Sequence, residues 1–231
     1  MNQPNTNHMP RLLAIGDIHG HSKAFTHLLD VIKPTGDDVL VLLGDYINRG
    51  PDSRAVIERI LALRAETHLV CLRGNHEQML LDARRSWDDH AFWVQCGGDQ
   101  TLKSFGCENV ESMPKHIFDF LNETTLYHEV GGFIFVHANV DFEVPMECQS
   151  TSTLMWRHLE CPPSHHSGKL VICGHTPQSG GLPVHFGSAV CIDTDVCDSG
   201  WLTCYEPRKN RYWQCNSAGG RRMDILLPES D

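Results

Sequence analysis

Residues 39–50 read Val39-Leu40-Val41-Leu42-Leu43-Gly44-Asp45-Tyr46-Ile47-Asn48-Arg49-Gly50, an apolar run of strand length followed directly by a glycine and a carboxylate. A short apolar run bounded by turn residues indicates a buried strand of the kind that parallel sheets contain. Gly-Asp at a strand end is also common turn chemistry, so Asp45 taken alone would be read as a turn residue. The stretch becomes informative because the chain repeats the arrangement.

Four further stretches place a carboxylate, an amide or an imidazole in a similar position. They are Gly16-Asp17-Ile18-His19-Gly20, Arg73-Gly74-Asn75-His76-Glu77, Val136-His137-Ala138-Asn139 and Gly174-His175-Thr176-Pro177. Four of the five stretches follow an apolar run of strand length. A lone histidine in an apolar run is more often a core residue than a ligand. Five such stretches in one chain are hard to explain by packing alone.

The first half of the chain alternates between the two kinds of secondary structure. Apolar runs predict strands at 11–16, 39–43 and 68–72, and helical spacing predicts helices at 22–32 and after Pro51-Asp52-Ser53. This order predicts parallel pairing with helices on the faces of the sheet. Residues 75–122 are predicted to be mostly helical. Later strands are predicted at 126–130, 133–137, 169–173, 189–193, 201–205 and 211–215, with a hairpin turn at Gly131-Gly132.

The bulk properties limit the class of protein. The chain has 231 residues, of which 41% are hydrophobic, enough for a single α/β domain. We place this domain at 11–216, after a disordered N-terminus (1–10) and before a loosely held tail (217–231). The N-terminus lacks the apolar segment of a secretory signal, and no apolar run reaches the roughly 18 residues that a membrane helix needs.

Charge and cysteine content narrow the setting. The formal net charge is −10 and there is no run of lysine or arginine, which argues against a nucleic-acid partner. The ten cysteines include no Cys-x-x-Cys pair, which favours reduced thiols over disulfides or a zinc knuckle. We therefore expect a cytoplasmic protein that is not bound to a membrane. The oligomeric state stays open.

The residue types in the motifs suit metal ions. Asp17 and His19 are two apart, so in extended chain their side chains project from the same face. The two oxygens of Asp45 can bridge two ions roughly 3.5–4 Å apart. The other candidate ligands are Asn75, His137 and His175. Nitrogen and oxygen ligands together suit manganese, iron or zinc better than calcium. Two carboxylates facing two divalent ions leave the site cationic, as phosphate binding requires.

As a set, these motifs resemble those of the phosphoprotein phosphatase family within the calcineurin-like metallophosphoesterases, chiefly its compact bacterial and phage members. The resemblance covers roughly residues 11–206. It implies two mixed β-sheets sandwiched between helices, with two divalent metal ions at the strand ends. Manganese is the expected metal, with iron and zinc as alternatives. One ion would be held by Asp17, His19 and Asp45, and the other by Asp45, Asn75, His137 and His175.

The resemblance also implies a mechanism. A hydroxide bridging the metals would attack phosphorus in line, without a phosphoenzyme. His76 would protonate the leaving alkoxide, and Arg49 and Arg73 would clamp the phosphate oxygens. Arg157, after Met155-Trp156, is either a third clamp or an ordinary surface arginine.

Two positions depart from the family pattern. The family usually reads Gly-Asp-x-Val-Asp-Arg-Gly, and this chain has Asn48 in place of the second aspartate, which normally pairs with the general-acid histidine. Asn48 could still accept a hydrogen bond but carries no charge, so we expect a lower His76 pKa and weaker acid catalysis. Asp193-Thr194-Asp195 stands where relatives often have Asp-Thr-Gly.

Three functions remain in competition. Asn-His-Glu together with Gly-His-Thr-Pro favours a serine/threonine protein phosphatase acting on a phosphoprotein or a small phosphoester. The runner-up is a bis(5'-nucleosyl)-tetraphosphatase, because such hydrolases also lack the second aspartate. A third hypothesis, motivated by Asn48, is a weakened phosphatase fold that serves as a phospho-binding regulatory module.

Overall fold

The computed structural model describes residues 10–160 and 162–228. It contains two β-sheets and seven α-helices within those ranges. The disordered N-terminus predicted for 1–10 falls almost entirely on residues 1–9, which lie outside the described residues. The helices are α1 Ser22–Ile32, α2 Ser53–Leu63, α3 Asn75–Asp82, α4 Trp87–Trp93, α5 Asp99–Phe105, α6 Lys115–Glu123 and α7 Thr151–Trp156.

The strands confirm the predicted order of elements. They are β1 Leu12–Ile15, β2 Val39–Leu42, β3 His68–Cys71, β4 Tyr127–Val130, β5 Phe133–Val136, β6 Leu170–Cys173, β7 Val184–His185, β8 Ala189–Cys191, β9 Trp201–Glu206, β10 Arg211–Asn216 and β11 Arg221–Ile225. Each strand predicted from the sequence is present. The two-residue strand β7 and the last strand, β11, were not predicted.

The first sheet has six strands in the order β11-β10-β9-β1-β2-β3. β1 pairs in parallel with β2, and β2 with β3, so that Leu12 lies opposite Val39 and Val39 opposite His68. The pairs β1–β9, β9–β10 and β10–β11 are antiparallel. The predicted parallel pairing of the first three strands is therefore confirmed within a mixed sheet.

The second sheet has five strands in the order β4-β5-β6-β8-β7. Its central strands β5, β6 and β8 are parallel, and its outer pairs are antiparallel. The β4–β5 hairpin turns at Gly131, whose φ of 59° lies in the left-handed region that glycine adopts at no steric cost. This confirms the hairpin predicted there.

Alternation along the strands divides the core into three layers. In β1, Leu13 and Ile15 pack among the helices, whereas Leu12 and Ala14 pack against residues of the second sheet such as Phe135. A third apolar cluster, on the other face of the second sheet, includes Leu154 of α7. The two sheets are thus packed face to face with helices outside, as the family resemblance implied.

The C-terminal stretch corrects the domain boundary. Residues 217–231 were expected to form a loose tail, but 221–225 form β11, which pairs with β10 from Arg211–Ile225 to Cys215–Arg221. Leu226 is buried beside Tyr212. The expectation was wrong for the described part of this stretch, because backbone pairing holds a strand whose side chains lack a long apolar run. Residues 229–231 lie outside the described residues.

A membrane-spanning role finds no structural support within residues 10–160 and 162–228, where no helix is both long enough and apolar enough to cross a bilayer.

Candidate metal centre

The strand ends bring the sequence motifs together. In the first sheet, the loops after the parallel strands β1, β2 and β3 carry Asp17, His19, Asp45 and Asn75. In the second sheet, the parallel strands β5 and β6 lead into His137 and His175. The carboxyl ends of parallel strands open on the same edge of a sheet, and the face-to-face packing of the two sheets brings both edges to one place.

The backbone at these turns is tightly constrained. Left-handed φ angles of 43°, 51° and 62° occur at His19, Asp45 and His175. Such angles are unfavourable for residues with a side chain and cluster at functional sites. A Cβ atom at Gly174 would lie 2.0 Å from Asp17 Oδ1, and one at Gly74 would lie 2.1 Å from Asp45 Oδ1. The motif glycines therefore leave space that the carboxylates occupy.

Asp45 lies at the middle of the site. Its Oδ2 is 3.6 Å from His19 Nε2, and its Oδ1 is 3.5 Å from His137 Nε2. Two groups of potential ligand atoms, each lying within 4.8 Å of one another, share this residue: His19, Asp45 and His76 in one, and Asp45, His137 and His175 in the other. A carboxylate common to two groups is the arrangement that bridging of two ions requires.

Each of the three candidate imidazole ligands has one nitrogen bound to a backbone carbonyl. His19 Nδ1 lies 3.0 Å from the Ile47 oxygen, His137 Nδ1 lies 3.0 Å from the Leu43 oxygen, and His175 Nε2 lies 3.2 Å from the Trp156 oxygen. A carbonyl only accepts, so each of these nitrogens carries the proton and the other ring nitrogen presents a lone pair. Such outer hydrogen bonds are typical of histidines that bind metal.

The side chain of Asn75 provides a test of whether a cation fits. Its carbonyl oxygen lies 3.0 Å from His137 Nε2. The position of that oxygen is also 3.1 Å from both oxygens of Asp45. All of these atoms bear lone pairs, and no proton lies between them, because His137 donates through its other nitrogen to Leu43. Converging lone pairs are unfavourable, and without a cation the amide can turn over so that its N–H groups donate to these three atoms. A divalent cation would favour the oxygen in this position instead, so the donor set fits a divalent metal.

Burial controls the protonation of the site. It lowers the pKa of His19, His137 and His175 to about 3, so all three rings are neutral at physiological pH. Burial raises the pKa of Asp45 to about 7. It also raises the pKa of Asp17 well above its usual range, with the nearby charges of Asp193 and Asp45 adding to the effect. Divalent cations would favour the ionised carboxylates again.

Of the five predicted histidine and aspartate ligands, Asp17 is the one that belongs to neither three-residue group. Its two oxygens instead accept the backbone N–H of His175 at 3.1 and 3.2 Å. This contact joins the first sheet to the second. Asp17 thus lies beside the centre, and the charge effects described above show that its carboxylate is close to that of Asp45.

The hydrogen bond between Asn48 and His76 has the opposite direction to the one expected. The Asn48 oxygen accepts from Trp93 Nε1 at 3.1 Å and from the Thr101 hydroxyl at 2.8 Å. An indole N–H can only donate, so its partner must be the amide oxygen. The amide nitrogen therefore faces His76 Nδ1 at 2.8 Å and donates to it. The sequence left Asn48 able to accept a hydrogen bond, and the structure shows that toward His76 it donates one.

This hydrogen bond determines which His76 nitrogen bears hydrogen. With Nδ1 accepting, the neutral ring carries its proton on Nε2, which lies 3.9 Å from Asp45 Oδ2. Burial, followed by the neighbouring His19 and Arg49, lowers the His76 pKa well below its usual value. The effect of the missing aspartate on this pKa stays a prediction, because the causes of the shift are burial and neighbouring positive groups.

One of the three candidate phosphate clamps, Arg49, lies near the centre. Arg49 is exposed, its backbone N–H donates to the Gly97 oxygen at 3.2 Å, and its charge lowers the pKa values of His19 and Asp45. Arg157 is exposed immediately after Trp156, whose carbonyl accepts from His175. The Arg157 side chain itself lines a cavity with Asn139 and Glu143, so only its backbone is shown to lie next to the site.

Arg73 does not join the site. Its guanidinium donates to the Thr124 hydroxyl at 3.0 Å, to Gln78 Oε1 at 3.1 Å and to the Leu121 carbonyl at 2.9 Å. These bonds tie the turn before α3 to the end of α6. The expected role as a phosphate clamp is not supported, because each of the three guanidinium nitrogens is hydrogen-bonded to Thr124, Gln78 or Leu121.

Sequence reasoning missed two carboxylates. Glu77 accepts the backbone N–H groups of Asp45, Tyr46 and Gly74 at 2.7, 2.9 and 3.0 Å, and so holds the turn that carries Asp45. Glu77 is the last residue of the Arg-Gly-Asn-His-Glu motif, and that position could have indicated a role at the site. Buried Asp193 lies close enough to Asp17 to raise its pKa. Asp195 has a φ of 55°, which explains why related sequences often have glycine at that position.

Comparisons with known proteins agree with this geometry. The Salmonella typhimurium serine/threonine-protein phosphatase 1 is 44% identical over 86 residues, covering 37% of this chain and 38% of the relative. A symmetrical bis(5'-nucleosyl)-tetraphosphatase from Nitrosospira multiformis is 30% identical over 132 residues, covering 56% of this chain and 43% of the relative. The chain thus matches less than half the length of each of these two relatives.

Solved structures share the fold at low sequence identity. A cold-active protein-tyrosine phosphatase from a psychrophilic Shewanella species superposes with a TM-score of 0.63 at 18% identity, covering 94% of this chain and 80% of that one. A serine/threonine phosphatase from Saccharomyces cerevisiae superposes with a TM-score of 0.60 at 15% identity, covering 98% and 83%. The sequence profile named "Calcineurin-like phosphoesterase" matches residues 10–201. The chain therefore belongs to the calcineurin-like phosphoesterases, a family of metal-dependent enzymes.

Proposed function

We propose that this chain is a metal-dependent phosphomonoester hydrolase of the serine/threonine protein phosphatase type. The observation that carries the proposal is the position of Asp45, whose two oxygens lie 3.5 Å from His137 Nε2 and 3.6 Å from His19 Nε2. The match to a serine/threonine-protein phosphatase over 86 residues supports the substrate class.

Two divalent cations, which we propose to be manganese with iron or zinc as alternatives, would be held by the predicted ligand set. The residues are Asp17, His19, Asp45, Asn75, His137 and His175. When bound, such cations lower the pKa of water and neutralise charge on phosphoryl oxygens. The protein holds the neutral imidazoles of His19 and His137 in place in advance, and Asn75 needs only to present the oxygen end of its amide, so little reorganisation opposes binding.

The remaining chemistry falls to two side chains of the protein. Arg49 would bind the phosphoryl oxygens through charge-assisted hydrogen bonds, because its exposed guanidinium lies at the edge of the centre. His76 would face the leaving oxygen with Nε2–H, since its Nδ1 accepts from Asn48. Arg157, which follows Trp156 in the chain, is a further candidate for substrate binding.

A second candidate function is hydrolysis of dinucleoside polyphosphates. The hydrogen bond from Asn48 to His76 favours it, because a neutral ring donates a hydrogen bond more readily than a full proton. A phosphate leaving group departs as a stable anion and needs little protonation, whereas a serine alkoxide needs a proton. The Nitrosospira multiformis relative carries the name of such a hydrolase.

A paired assay separates the two candidates. The purified protein with manganese is given a phosphoserine or phosphothreonine peptide in one reaction and a dinucleoside tetraphosphate in the other. Faster release of phosphate from the peptide supports the phosphatase, and faster cleavage of the dinucleotide supports the alternative. Failure to hydrolyse p-nitrophenyl phosphate with manganese would overturn both and favour a phospho-binding regulatory module.

The cellular setting forms part of the proposal. The nine described cysteines are all free thiols, as a reducing compartment such as the cytoplasm would maintain. The net charge of −10 argues against a nucleic-acid substrate.

A further inference from the structure

The outer edge of the first sheet ends in a strand with exposed side chains. β11 is last in the strand order, and no strand of the described chain pairs with its outer side. All five of its residues are exposed. Unpaired backbone N–H and C=O groups at a sheet edge are a template for pairing with another strand.

The backbone hydrogen bonds identify which residues face outward. The Gly220 oxygen accepts from the Asn216 N–H at 3.2 Å, and the Leu226 N–H donates to the Asn210 oxygen at 2.6 Å. Both contacts point toward β10. Backbone groups alternate in direction along an antiparallel strand. The outward N–H and C=O groups therefore belong to the odd-numbered residues, which are Arg221, Met223 and Ile225.

Two of these outward-facing residues, Met223 and Ile225, have apolar side chains that the rest of the described chain leaves exposed. Met223 lies opposite Trp213 of β10 in the register, and Trp213 packs against the core shared with α1. Helix α1 packs over β9 and β10. Met223 and Ile225 lie beyond it, and their side chains are 62% and 46% exposed. Large exposed apolar side chains on an unpaired edge indicate an interaction surface.

The charges on β11 favour one register for antiparallel pairing of two copies. In a symmetric antiparallel pair, outward-facing residues must lie opposite each other, so the two-fold axis passes through a residue of β11. An axis through Arg221 or Ile225 would leave only that one residue of β11 opposite its copy, so the candidates are Arg222, Met223 and Asp224. An axis at Arg222 or at Asp224 sets that residue against its own copy, and like charges directly opposite are unfavourable. An axis at Met223 instead sets Arg222 opposite Asp224 of the second copy, twice. These are non-hydrogen-bonded positions, where side chains approach more closely.

We propose that this chain forms a homodimer in which β11 pairs antiparallel with β11 of a second copy, about a two-fold axis through Met223. The two six-stranded sheets then form one continuous sheet of twelve strands. Arg221, Met223 and Ile225 supply the new backbone hydrogen bonds. The Ile225 N–H, which donates to Asp224 Oδ1 at 2.8 Å, would exchange that local bond for one to Arg221 of the second copy. The two Met223 side chains cover each other. Such a contact is isologous and closes on itself, so it produces a dimer and not a fibre. The inference is independent of the enzymatic function.

Charge exchange tests the register. Size-exclusion chromatography with light scattering should give twice the 26.0 kDa chain mass for the unchanged protein. Arg222→Asp and Asp224→Arg, made separately, should each weaken the dimer about tenfold or more, because each sets like charges opposite in both pairs. The double variant should restore the dimer. An unchanged protein that stays monomeric at every concentration, or a double variant as weak as the single ones, would overturn the proposal.

A backbone variant tests the edge itself, independently of Arg222, which also packs 3.7 Å from the Trp201 ring centroid. Met223→Pro removes an outward N–H and leaves the β10 hydrogen bonds in place. It should give a folded monomer, as judged by circular dichroism and light scattering. Met223→Ala keeps the N–H and is the matched control, which should remain a dimer. A Met223→Pro variant that still forms the dimer would exclude pairing through this edge.

Discussion

Asn48 donates a hydrogen bond to His76 where related enzymes place a carboxylate that accepts one. The amide nitrogen lies 2.8 Å from His76 Nδ1, and the amide oxygen is held by Trp93 and Thr101. The direction of this bond follows from the indole N–H, which cannot accept. The result is a neutral His76 that presents Nε2–H to the site.

Asn48→Asp should reverse the hydrogen bond. One carboxylate oxygen would accept from Trp93 and Thr101, and the other would accept Nδ1–H of an imidazolium. Turnover of an alkyl phosphate should rise about tenfold or more, because proton donation by a positioned acid contributes on the order of 10²–10⁴. The basic limb of the pH–rate profile should move to higher pH, since the added charge raises the His76 pKa.

An aryl phosphate is the control for that experiment. A nitrophenolate leaves without a proton, so its turnover should change little in the same variant. Equal gains with both substrates would contradict the assigned role of His76, as would no gain with either. Steady-state kinetics on the unchanged and substituted proteins decide the matter.

The same substitution, arginine to methionine, should reduce activity at position 49 and stability at position 73. Arg49→Met removes an exposed guanidinium beside the centre, so kcat/KM should fall about 10- to 100-fold while the melting temperature stays close to that of the unchanged protein. Arg73→Met breaks hydrogen bonds to Thr124, Gln78 and Leu121. It should lower the free energy of unfolding by about 1–3 kcal/mol.

The two arginines thus serve as controls for each other. Kinetics and thermal unfolding are measured on both variants with manganese present. A loss of kcat/KM for Arg73→Met without a loss of stability would contradict this assignment and support a role of Arg73 in phosphate binding.

Cation binding should strengthen as pH rises through neutrality. In the cation-free protein the Asp45 pKa is raised to about 7 by burial, so below that pH a cation must displace a proton. His19 and His137, with pKa values lowered to about 3, are already neutral. The rise in melting temperature caused by manganese should therefore grow from about pH 6 to about pH 8. Asp45→Asn should abolish most of this rise, and an equal rise at both pH values would contradict the assignment.

In the cation-free protein, the histidines and Asp45 should change the free energy of unfolding with pH in opposite directions. The histidine contribution is present above the unfolded pKa of 6.5 and is lost as pH falls toward about 3. The Asp45 contribution has the opposite sign, because its folded pKa is raised. It is present below the unfolded value of 3.8 and is lost as pH rises to about 7. Thermal unfolding in the presence of a chelator, compared between the unchanged protein and Asp45→Asn, separates the two.

Gly174→Ala should displace the Asp17 carboxylate and so weaken manganese binding. The added Cβ would lie 2.0 Å from Asp17 Oδ1, so either the carboxylate or the loop must move. We expect a loss of about 1–3 kcal/mol in stability together with weaker manganese binding. Gly180→Ala is the matched control, because nothing lies within 4 Å of its added Cβ. Calorimetric titration with manganese checks both variants, and unchanged manganese binding in Gly174→Ala would contradict the expected displacement of Asp17.

The strands and the ligands were predictable because their signals are local. An apolar run ending in Gly-Asp fixes both a strand and the position of Asp45 after it. The failures depend on distant residues. The direction of the Asn48 hydrogen bond is set by Trp93 and Thr101, 45 and 53 residues away in the chain.

Two other outcomes have the same physical origin. Arg73 is two residues from Asn75, yet its guanidinium is drawn to Thr124, 51 residues along the chain. β11 has no apolar run of its own and forms because all five of its residues pair with β10. Periodicity and motifs report what a segment prefers, and neither reports which remote partner will hold it.

The bonds from His175 to Asp17 and from His137 to Leu43 cross from one sheet to the other. Neither half of the chain therefore contains all of the proposed ligands. Residues 11–77 supply the proposed oxygen ligands and one imidazole, and the other two imidazoles reach the site only when the second half packs onto the first. If this set binds the ions, metal binding comes late in folding, and a nascent chain stalled before residue 175 should not retain manganese.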